Sequence, residues 1–339
     1  MFRRKYGLIV SVVAVSTLVA LAGWLLRPRI HPGFMHSFIE LNRHSDDFPT
    51  SVAYDAPGHV LAVGRESGRL ELWDVRRIGA RRLLQAHSMR TQHLAFGTRD
   101  QIVFSTSEID DVTKVWNIHS GKLLCTLKGV RGPVAPAPSP GWYVAGDDGH
   151  VVVYDHARCA LVGTPVPVSG RTVTALDSDP ESGLVALGTS GGGLRVMRWD
   201  FADGAPQLRL LQQSHPYASG NWIQAARLVD HGRGLISVSR TGEVVEWNSA
   251  TLERRRLFPT TLRGVYQASF VPGEPWLVLS GTLSAQSDDG KVEVLNLRTG
   301  VALRYKANTN LPVSTLLPEA FFGLILQSGS VKGIRYLDE

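Results

Sequence analysis

The sequence predicts an all-β protein built from one repeated unit, and three observations support this class. Hydrophobic residues make up 43% of the 339 residues, which is enough for a substantial core. The 34 glycines and 18 prolines favour many short turns over long helices. A turn followed by an alternating apolar strand recurs along the chain. Composition thus indicates the class, and the recurrence indicates the architecture.

The recurring motif is a turn, then alternating apolar residues that lead to a large side chain. Its seven copies are GRLELWDV at 68, VTKVWNIHSG at 112, GHVVVYDH at 149, GGLRVMRWD at 192, GEVVEWNS at 242, GKVEVLNL at 290 and GSVKGIRYLD at 329. The large residues of the first six copies are Trp73, Trp116, Tyr154, Met197, Trp247 and Leu295. Their spacings of 43, 38, 43, 50 and 48 residues are typical of β-propeller blades with four strands each.

Each unit also contains the other strands that a blade requires. Between consecutive motifs lie two or three further apolar-rich runs, such as VLAVG at 60 and QIVFSTS at 101. The seventh unit lacks an outer strand, because the chain ends just after its motif. His36 to Asn42 alternates suitably and is predicted to supply that strand, which would also cover an open sheet edge. The prediction is a seven-bladed propeller over residues 36–339.

The chain resembles the WD-repeat β-propeller family from about Phe38 onward. Trp-Asp pairs stand at Trp73-Asp74 and Trp199-Asp200, and Val173 to Met197 follows the family's order of strands and turns. The resemblance implies a structural tetrad that ties loops to strands within a blade. Its members here are His87, Ser107, Asp110 and Trp116, with Ser105 as the other candidate for the hydroxyl.

The N-terminal residues 1–29 predict a membrane anchor. Gly7 to Leu26 is a run of 20 uncharged residues, and a helix of that length spans about 30 Å, the thickness of a bilayer core. The basic residues 3–5 should stay in the cytoplasm, although Arg27 and Arg29 weaken the asymmetry. The expected arrangement is a single-pass protein of a bacterial-type inner membrane, with residues 30–35 as a linker and the propeller in the periplasm.

Two other interpretations of this segment stay open. Ala20-Leu21-Ala22 fits a signal-peptide cleavage site, which would release a soluble periplasmic protein, although the apolar run continues beyond it. Reversed insertion would leave the propeller in the cytoplasm. Without the five N-terminal basic residues the chain carries 31 basic and 30 acidic residues, so its net charge of +6 does not indicate nucleic-acid binding.

Cys125 and Cys159 are the only cysteines, too few for a disulfide framework. Two separate buried thiols are the favoured interpretation, and an exported location would permit a pair.

No catalytic, cofactor-binding or metal-binding residue is predicted. GTSGG places Ser190 in a hydrolase-like pattern, but its flanks are strands rather than a strand and a helix. GDDGH, with Asp147, Asp148 and His150, is explained by turn chemistry. The charged stretch Gly64 to Val75 is likewise predicted to be a turn between two strands of a blade.

The candidate partner surface lies where long loops interrupt the period. Gln212 to Trp222 and Ser280 to Lys291 should reach one rim of the propeller. The candidate contact residues there are Tyr217, Trp222, Ser284 and Asp288, joined by a predicted ring of arginines, namely Arg90, Arg131, Arg171 and Arg263. Such a ring favours an acidic partner, whereas solvated arginines and a packed Trp222 are the alternatives.

These features predict a membrane-anchored scaffold for protein–protein interaction at the cell envelope, without catalysis. No nucleic acid or small-molecule substrate is indicated. The alternative is a propeller hydrolase or lyase with a metal or small substrate in its channel.

Overall fold

The structure is a computed structural model that describes residues 37–335 apart from 44–46, 76–80, 98–100, 203, 272, 285–289, 307–312, 318–321 and 328–329. Within these residues all helical or extended elements are β-strands, which confirms the all-β class. The predicted anchor and linker lie outside the described residues. No helix in the described part of the chain is long and apolar enough to cross a membrane.

The strands follow one another with short connections. The first nine are β1 (Ser37–Arg43), β2 (Pro49–Asp55), β3 (Val60–Arg65), β4 (Arg69–Asp74), β5 (Arg81–Gln85), β6 (His93–Phe96), β7 (Ile102–Ser107), β8 (Val112–Asn117) and β9 (Leu123–Lys128). The next nine are β10 (Val134–Pro136), β11 (Trp142–Gly146), β12 (Asp148–Asp155), β13 (Ala160–Asp179), β14 (Leu184–Thr189), β15 (Leu194–Ala202), β16 (Ala205–Ser214), β17 (Ile223–Val229) and β18 (Gly234–Ser239). The last nine are β19 (Val244–Asn248), β20 (Arg254–Phe258), β21 (Gly264–Phe270), β22 (Trp276–Thr282), β23 (Gly290–Asn296), β24 (Ala302–Lys306), β25 (Val313–Leu317), β26 (Phe322–Gln327) and β27 (Ser330–Arg335).

These strands form six antiparallel sheets rather than the seven separate sheets predicted. Five have four strands each: β2–β5, β6–β9, β17–β20, β21–β24 and the sheet of β1 with β25–β27. The sixth contains the seven strands β10 to β16. Its long strand β13 pairs with β12 mainly through its first part and with β14 from Val173 onward. The chain stays extended along β13, so no loop divides this sheet.

The first strand closes the structure onto the last sheet. β1 runs antiparallel to β27, with Ser37 opposite Arg335 and Phe38 opposite Ile334, so the sheet order is β1-β27-β26-β25. This confirms the pairing predicted for residues 36–42, with the strand beginning at Ser37 and extending to Arg43. The edge of β27 is thereby covered.

The sheets present two sets of connections at opposite ends. We define the upper face as the end where loops enter the first strand of a sheet and where turns join its second and third strands. The lower face carries the turns between first and second strands and between third and fourth strands. Backbone bonds link neighbouring loops on each face, as from Glu66 N to Phe48 O on the upper face (2.8 Å) and from Val75 N to His59 O on the lower face (3.0 Å).

The stretch from Gly64 to Val75 is part of the scaffold, as predicted. Gly68 has a φ of +79°, and a Cβ there would lie 2.2 Å from the carbonyl oxygen of His87. Trp73 is buried and donates its indole N–H to Glu71 (3.0 Å). Arg65 donates to both oxygens of the same carboxylate, at 3.2 and 3.1 Å. A buried ion pair thus lies beside the packed tryptophan.

In four copies of the motif, the polar residue after the large residue closes a lower turn. Asn117, Asn248 and Asn296 accept backbone N–H groups two or three residues ahead, at 2.8, 3.0 and 2.9 Å. Asp155 does the same for Ala157 at 2.9 Å. Side chains of this kind form compact local turns. The polar residue at the end of the repeated motif therefore caps a turn and is not placed to bind a metal or substrate.

Cys125 and Cys159 form a disulfide, so the favoured interpretation of two separate thiols was wrong. Cys125 lies on the outer strand β9, and Cys159 lies in the turn between β12 and β13 of the adjoining sheet. Their Cα atoms are 5.9 Å apart, within the usual range for a disulfide. Packing of neighbouring sheets brings together residues 34 positions apart, which sequence spacing alone does not reveal.

Candidate interaction face

A buried polar chain ties the upper loop before β6 to the β6–β9 sheet. Nε2 of His87 lies 2.9 Å from Oγ of Ser105, which also accepts the indole N–H of Trp116 at 2.9 Å. Nδ1 of His87 lies 3.3 Å from a carboxylate oxygen of Asp110. Asp110 in turn accepts the backbone N–H of Ser88 at 2.8 Å. The chain links a loop, two strands and an upper turn.

Ser105 supplies the hydroxyl of this chain, so the choice of Ser107 was wrong. Trp116 lies opposite Val103 in the register of β7 and β8, which makes Ser105 its diagonal neighbour on the same sheet face. Ser107 is two residues further along β7, beyond the reach of the indole. Its hydroxyl instead accepts the backbone N–H of Asp110 at 3.3 Å.

The sequence of contacts from Asp110 to His87 to Ser105 resembles the acid, base and nucleophile of a hydrolase. The burial of His87 and Ser105 instead indicates a structural network. His87 is 2% exposed and Ser105 is not exposed at all. Burial lowers the pKa of His87 and Lys114 lowers it further, against the opposing effect of Asp110. Because the hydroxyl is enclosed and already bonded to Trp116, no substrate can reach it.

Tyr217 occupies the same position in the β17–β20 sheet and is not a surface residue, so its assignment as a contact residue was wrong. Its side chain is 7% exposed and its hydroxyl lies 2.8 Å from Oγ of Ser237. Ser237 also accepts the indole N–H of Trp247 at 2.8 Å. Tyr217 and His87 both stand six residues before a first strand, and this spacing was the signal that could have identified it. His215, two residues earlier in this loop, is exposed.

Charged residues in third strands bond to backbone groups of neighbouring segments, two of which are upper loops, and the sequence did not predict these bonds. Lys114 donates to the carbonyl of Ala86 (2.6 Å), and Arg195 donates to that of Pro167 (2.8 Å). Glu293 accepts the N–H of Thr261 at 3.0 Å. Each charged residue stands two positions before the large motif residue of its strand. Lys114 and Glu293 thereby hold the upper loops before β6 and β21.

Two of the four predicted surface arginines are paired with acids. Arg90 donates to both carboxylate oxygens of Glu66, at 2.7 and 2.9 Å. Arg131 donates to Asp111 of the preceding upper turn. Hydrogen bonds with these carboxylates raise the pKa of both arginines. These two ion pairs join neighbouring sheets. The predicted ring of arginines is therefore not a continuous band of unpaired charge.

The other two arginines are exposed on the same face. Arg171 packs over Gly191, where an added Cβ would lie 3.0 Å from its Nε. Arg263 donates to the carbonyl of Leu262 at 3.1 Å. Within the described residues, no carboxylate forms an ion pair with either side chain. These two therefore remain able to meet an acidic group.

Arg263 belongs to a surface that we call the Trp222 patch, formed by Trp222, Arg240, Arg263 and Leu283. Trp222 is 42% exposed, and the guanidinium of Arg240 lies 5.4 Å from its ring centre. The backbone N–H of Arg240 donates to Trp222 (2.7 Å), and that of Val265 donates to Arg240 (2.7 Å). These bonds connect the upper loops before β17 and β21.

The patch continues toward the loop after β22. The N–H of Arg263 donates to the carbonyl of Thr282 at 2.8 Å, beside Leu283, which is 45% exposed. Ser284 is also exposed, and its carbonyl accepts the Thr282 hydroxyl at 2.8 Å. Asp288 lies outside the described residues. Sequence reasoning missed Arg240 because its place beside Trp222 depends on the turn between β18 and β19.

The turn residues once considered for metal or nucleophilic chemistry lie apart from this patch. Asp147 accepts the backbone N–H of Asp148 at 2.6 Å, and Thr172 donates to Asp148 at 3.3 Å. Ser190 lies in the turn between β14 and β15, where its N–H donates to Thr172 O. In the part of the chain that the structure describes, no three His, Cys, Asp or Glu residues are grouped to hold a metal ion.

Comparison with known proteins gives relatives and a matching fold, while no protein-family model matches the chain. The chain is 24% identical over 254 residues to protein transport protein SEC31 of Chaetomium globosum, covering 74% of this chain and 16% of that protein. It is 23% identical over 202 residues to NACHT domain- and WD repeat-containing protein 1 of Homo sapiens, covering 60% and 10%. The chain thus spans less than a fifth of the length of either relative.

A solved structure shows the same architecture. The β-propeller domain of Cps50 (Swd1) from Myceliophteria thermophila superposes with a TM-score of 0.71 at 15% identity, over 89% of this chain and 100% of that chain. The chain therefore has a β-propeller fold, and its relatives support kinship with the WD-repeat proteins.

Proposed function

We propose that this chain is a membrane-anchored scaffold that binds a protein partner through the Trp222 patch. The observation that carries the proposal is an exposed tryptophan beside Arg240, on an upper loop that backbone hydrogen bonds connect to the loop of Arg263. Tryptophan and arginine are the residue types most enriched at interaction hot spots. Catalysis is no part of the proposal, because His87 and Ser105 are buried and already bonded to one another.

The propeller of the proposed scaffold has seven blades. Five sheets are separate four-stranded blades. The seven-stranded sheet divides at β13 into two four-stranded ladders, β10 to β13 and β13 to β16, which share that strand. Counted separately, the two ladders and the five other sheets support a propeller of seven blades.

The partner segment that we propose is acidic, with an apolar side chain to cover Trp222. Arginine pairs well with carboxylates because its donors match their geometry. Arg240 and Arg263 are exposed on upper loops and Arg171 is exposed on β13, whereas Arg90 and Arg131 already have carboxylate partners. Glu243 is the nearby acid, and its carboxylate already has a polar neighbour, because the side-chain amide of Asn221 lies 3.5 Å from it.

The location that we propose is the periplasmic side of a bacterial-type inner membrane. Gly7 to Leu26 would form the anchor, with the basic residues before it in the cytoplasm. The disulfide between Cys125 and Cys159 supports a propeller outside the cytoplasm, since disulfides persist mainly in oxidising compartments.

The test is affinity capture from the native host with full-length, membrane-extracted protein, followed by mass spectrometry of the captured proteins. Trp222→Ala should weaken capture of a specific envelope protein by about 30-fold, the effect of losing a hot spot of ~2 kcal/mol. Arg263→Ala should reduce capture of the same protein. Leu257→Ala is the matched control, because Leu257 is 55% exposed on the outer strand β20. Equal capture by all variants would contradict the proposed site.

A further inference from the structure

The direction of β1 determines the face at which the N-terminal segment joins the propeller. After β1, residues 44–48 lead to β2, and Phe48 is bonded to Glu66 on the upper face. β1 therefore runs from the lower face to the upper face, and Ser37 lies at its lower end. The preceding chain thus enters at the lower face, on the outermost strand of its sheet.

The length of the preceding segment limits how the propeller can be oriented. Ten residues, 27–36, separate Leu26 from β1, and fully extended they reach at most about 36 Å. The headgroup layer on one side of a bilayer is roughly 5 to 8 Å thick. With the lower face toward the bilayer, the segment needs to cross little more than this layer.

The opposite orientation would stretch the segment almost fully. To bring the upper face to the bilayer, residues 27–36 would also have to return along the seven residues of β1, about 23 Å. The required distance is then roughly 30 Å of the 36 Å available. A nearly taut chain has few conformations, so this orientation carries a large entropic cost.

The lower face can also lie against the lipid headgroups without inserting into the bilayer. Its turns are short and closed by Asn117, Asn248 and Asn296, so their backbone groups are satisfied internally. Arg298 is exposed in the turn between β23 and β24 and can contact lipid phosphates, whereas Arg158, also exposed, is paired with Asp155 at 3.6 Å.

We propose that the lower face of the propeller lies against the bilayer headgroups, so that the Trp222 patch projects away from the membrane. This inference rests on the anchor in the proposed function and adds an orientation to it. A partner would consequently approach from the side opposite the membrane and would need no membrane segment of its own.

Site-directed fluorescence quenching in vesicles tests the orientation. Both native cysteines are in the disulfide, so one added cysteine gives a single labelling site. Ala250→Cys and Ala218→Cys form a matched pair, since both alanines are exposed and lie at the lower and upper ends of the same region. The full chain is reconstituted in phosphatidylcholine and phosphatidylglycerol vesicles that contain a headgroup-nitroxide lipid.

The label at 250 should lose about half of its fluorescence and the label at 218 less than a tenth, because the two ends are about 20 Å apart. Equal quenching, or stronger quenching at 218, would overturn the orientation. Flotation of the same samples distinguishes this result from failure of the anchor. Protein that does not float with the vesicles would contradict both the anchor and the orientation, whereas floating protein with reversed quenching would contradict the orientation alone.

Discussion

The hydroxyl of Tyr217 lies 2.8 Å from Oγ of Ser237, which places a tyrosine where the β6–β9 sheet has His87. In both sheets a serine from the second strand also accepts the indole N–H of a third-strand tryptophan. Tyrosine and histidine thus have the same structural role, since each connects an upper loop to the serine of its sheet. Burial raises the pKa of Tyr217 to about 12, so the hydroxyl stays protonated and able to donate.

Tyr217 and Trp222 lie five residues apart, and their substitutions should have opposite consequences. Tyr217→Phe removes one buried hydrogen bond and should lower the free energy of unfolding by about 1 kcal/mol, with partner capture unchanged. Trp222→Ala should change stability by less than about 1 kcal/mol while capture falls. Urea unfolding and capture of the same preparations measure both effects. Loss of capture in Tyr217→Phe with native stability would contradict the assignment.

Ser105 and Ser107 should differ in their contribution to stability. Ser105→Ala leaves Nε2 of His87 and the indole N–H of Trp116, both buried, without their common partner, which should cost about 2 kcal/mol or more. Ser107→Ala removes only one long bond to Asp110 and should cost less than about 1 kcal/mol. The two variants are matched in chemistry and burial. A larger loss for Ser107→Ala in urea unfolding would contradict the bonding described above.

Reduction should destabilise the propeller. The disulfide closes a loop with a sequence separation of 34 residues, for which chain entropy predicts a contribution of about 3 to 4 kcal/mol. Thermal unfolding with and without a reductant measures the difference. A variant with Cys125→Ser and Cys159→Ser is the control, and its melting temperature should equal that of the reduced native protein. If the reductant leaves the native melting temperature unchanged, the disulfide contributes no stability.

Asp177 should make stability depend on pH. Its carboxylate accepts the N–H of Leu228 at 2.8 Å, from the first strand of the next sheet. Burial raises its pKa to about 6, although Arg227 and backbone N–H groups lower it. The unfolded value is about 3.9, so this group contributes stability that is fully present below pH 4 and is lost as pH rises through 6.

The measurement is the melting temperature of Asp177→Asn between pH 4.5 and 7.5. Relative to the native protein, the variant should gain stability as pH rises, because asparagine stays uncharged while its oxygen can still accept the Leu228 N–H. Asp200→Asn, at an exposed position, controls for the loss of one charge. Parallel curves for the native protein and Asp177→Asn would show that Asp177 does not titrate in this range.

The sequence by itself determined the features that depend on neighbouring residues. Alternation along each strand, the turn at Gly68, the burial of Trp73 and the closing strand from Ser37 were all accessible, because strand pleating and turn geometry act over a few positions. The repeat spacing then indicated a propeller. His87, Asp110 and Trp116 were identified through their resemblance to a family pattern, but the serine between them was misplaced by two residues.

Only the tertiary structure decided which side chains meet across neighbouring sheets. Arg90 pairs with Glu66 and Arg131 with Asp111 over 24 and 20 residues, and Cys125 reaches Cys159 over 34. Such contacts depend on how sheets pack rather than on any local period, so arginines with the same sequence position can be paired in one blade and exposed in another. The same packing buried Tyr217 and left Trp222 at the surface, because the loop is fixed at its serine contact and turns outward five residues later.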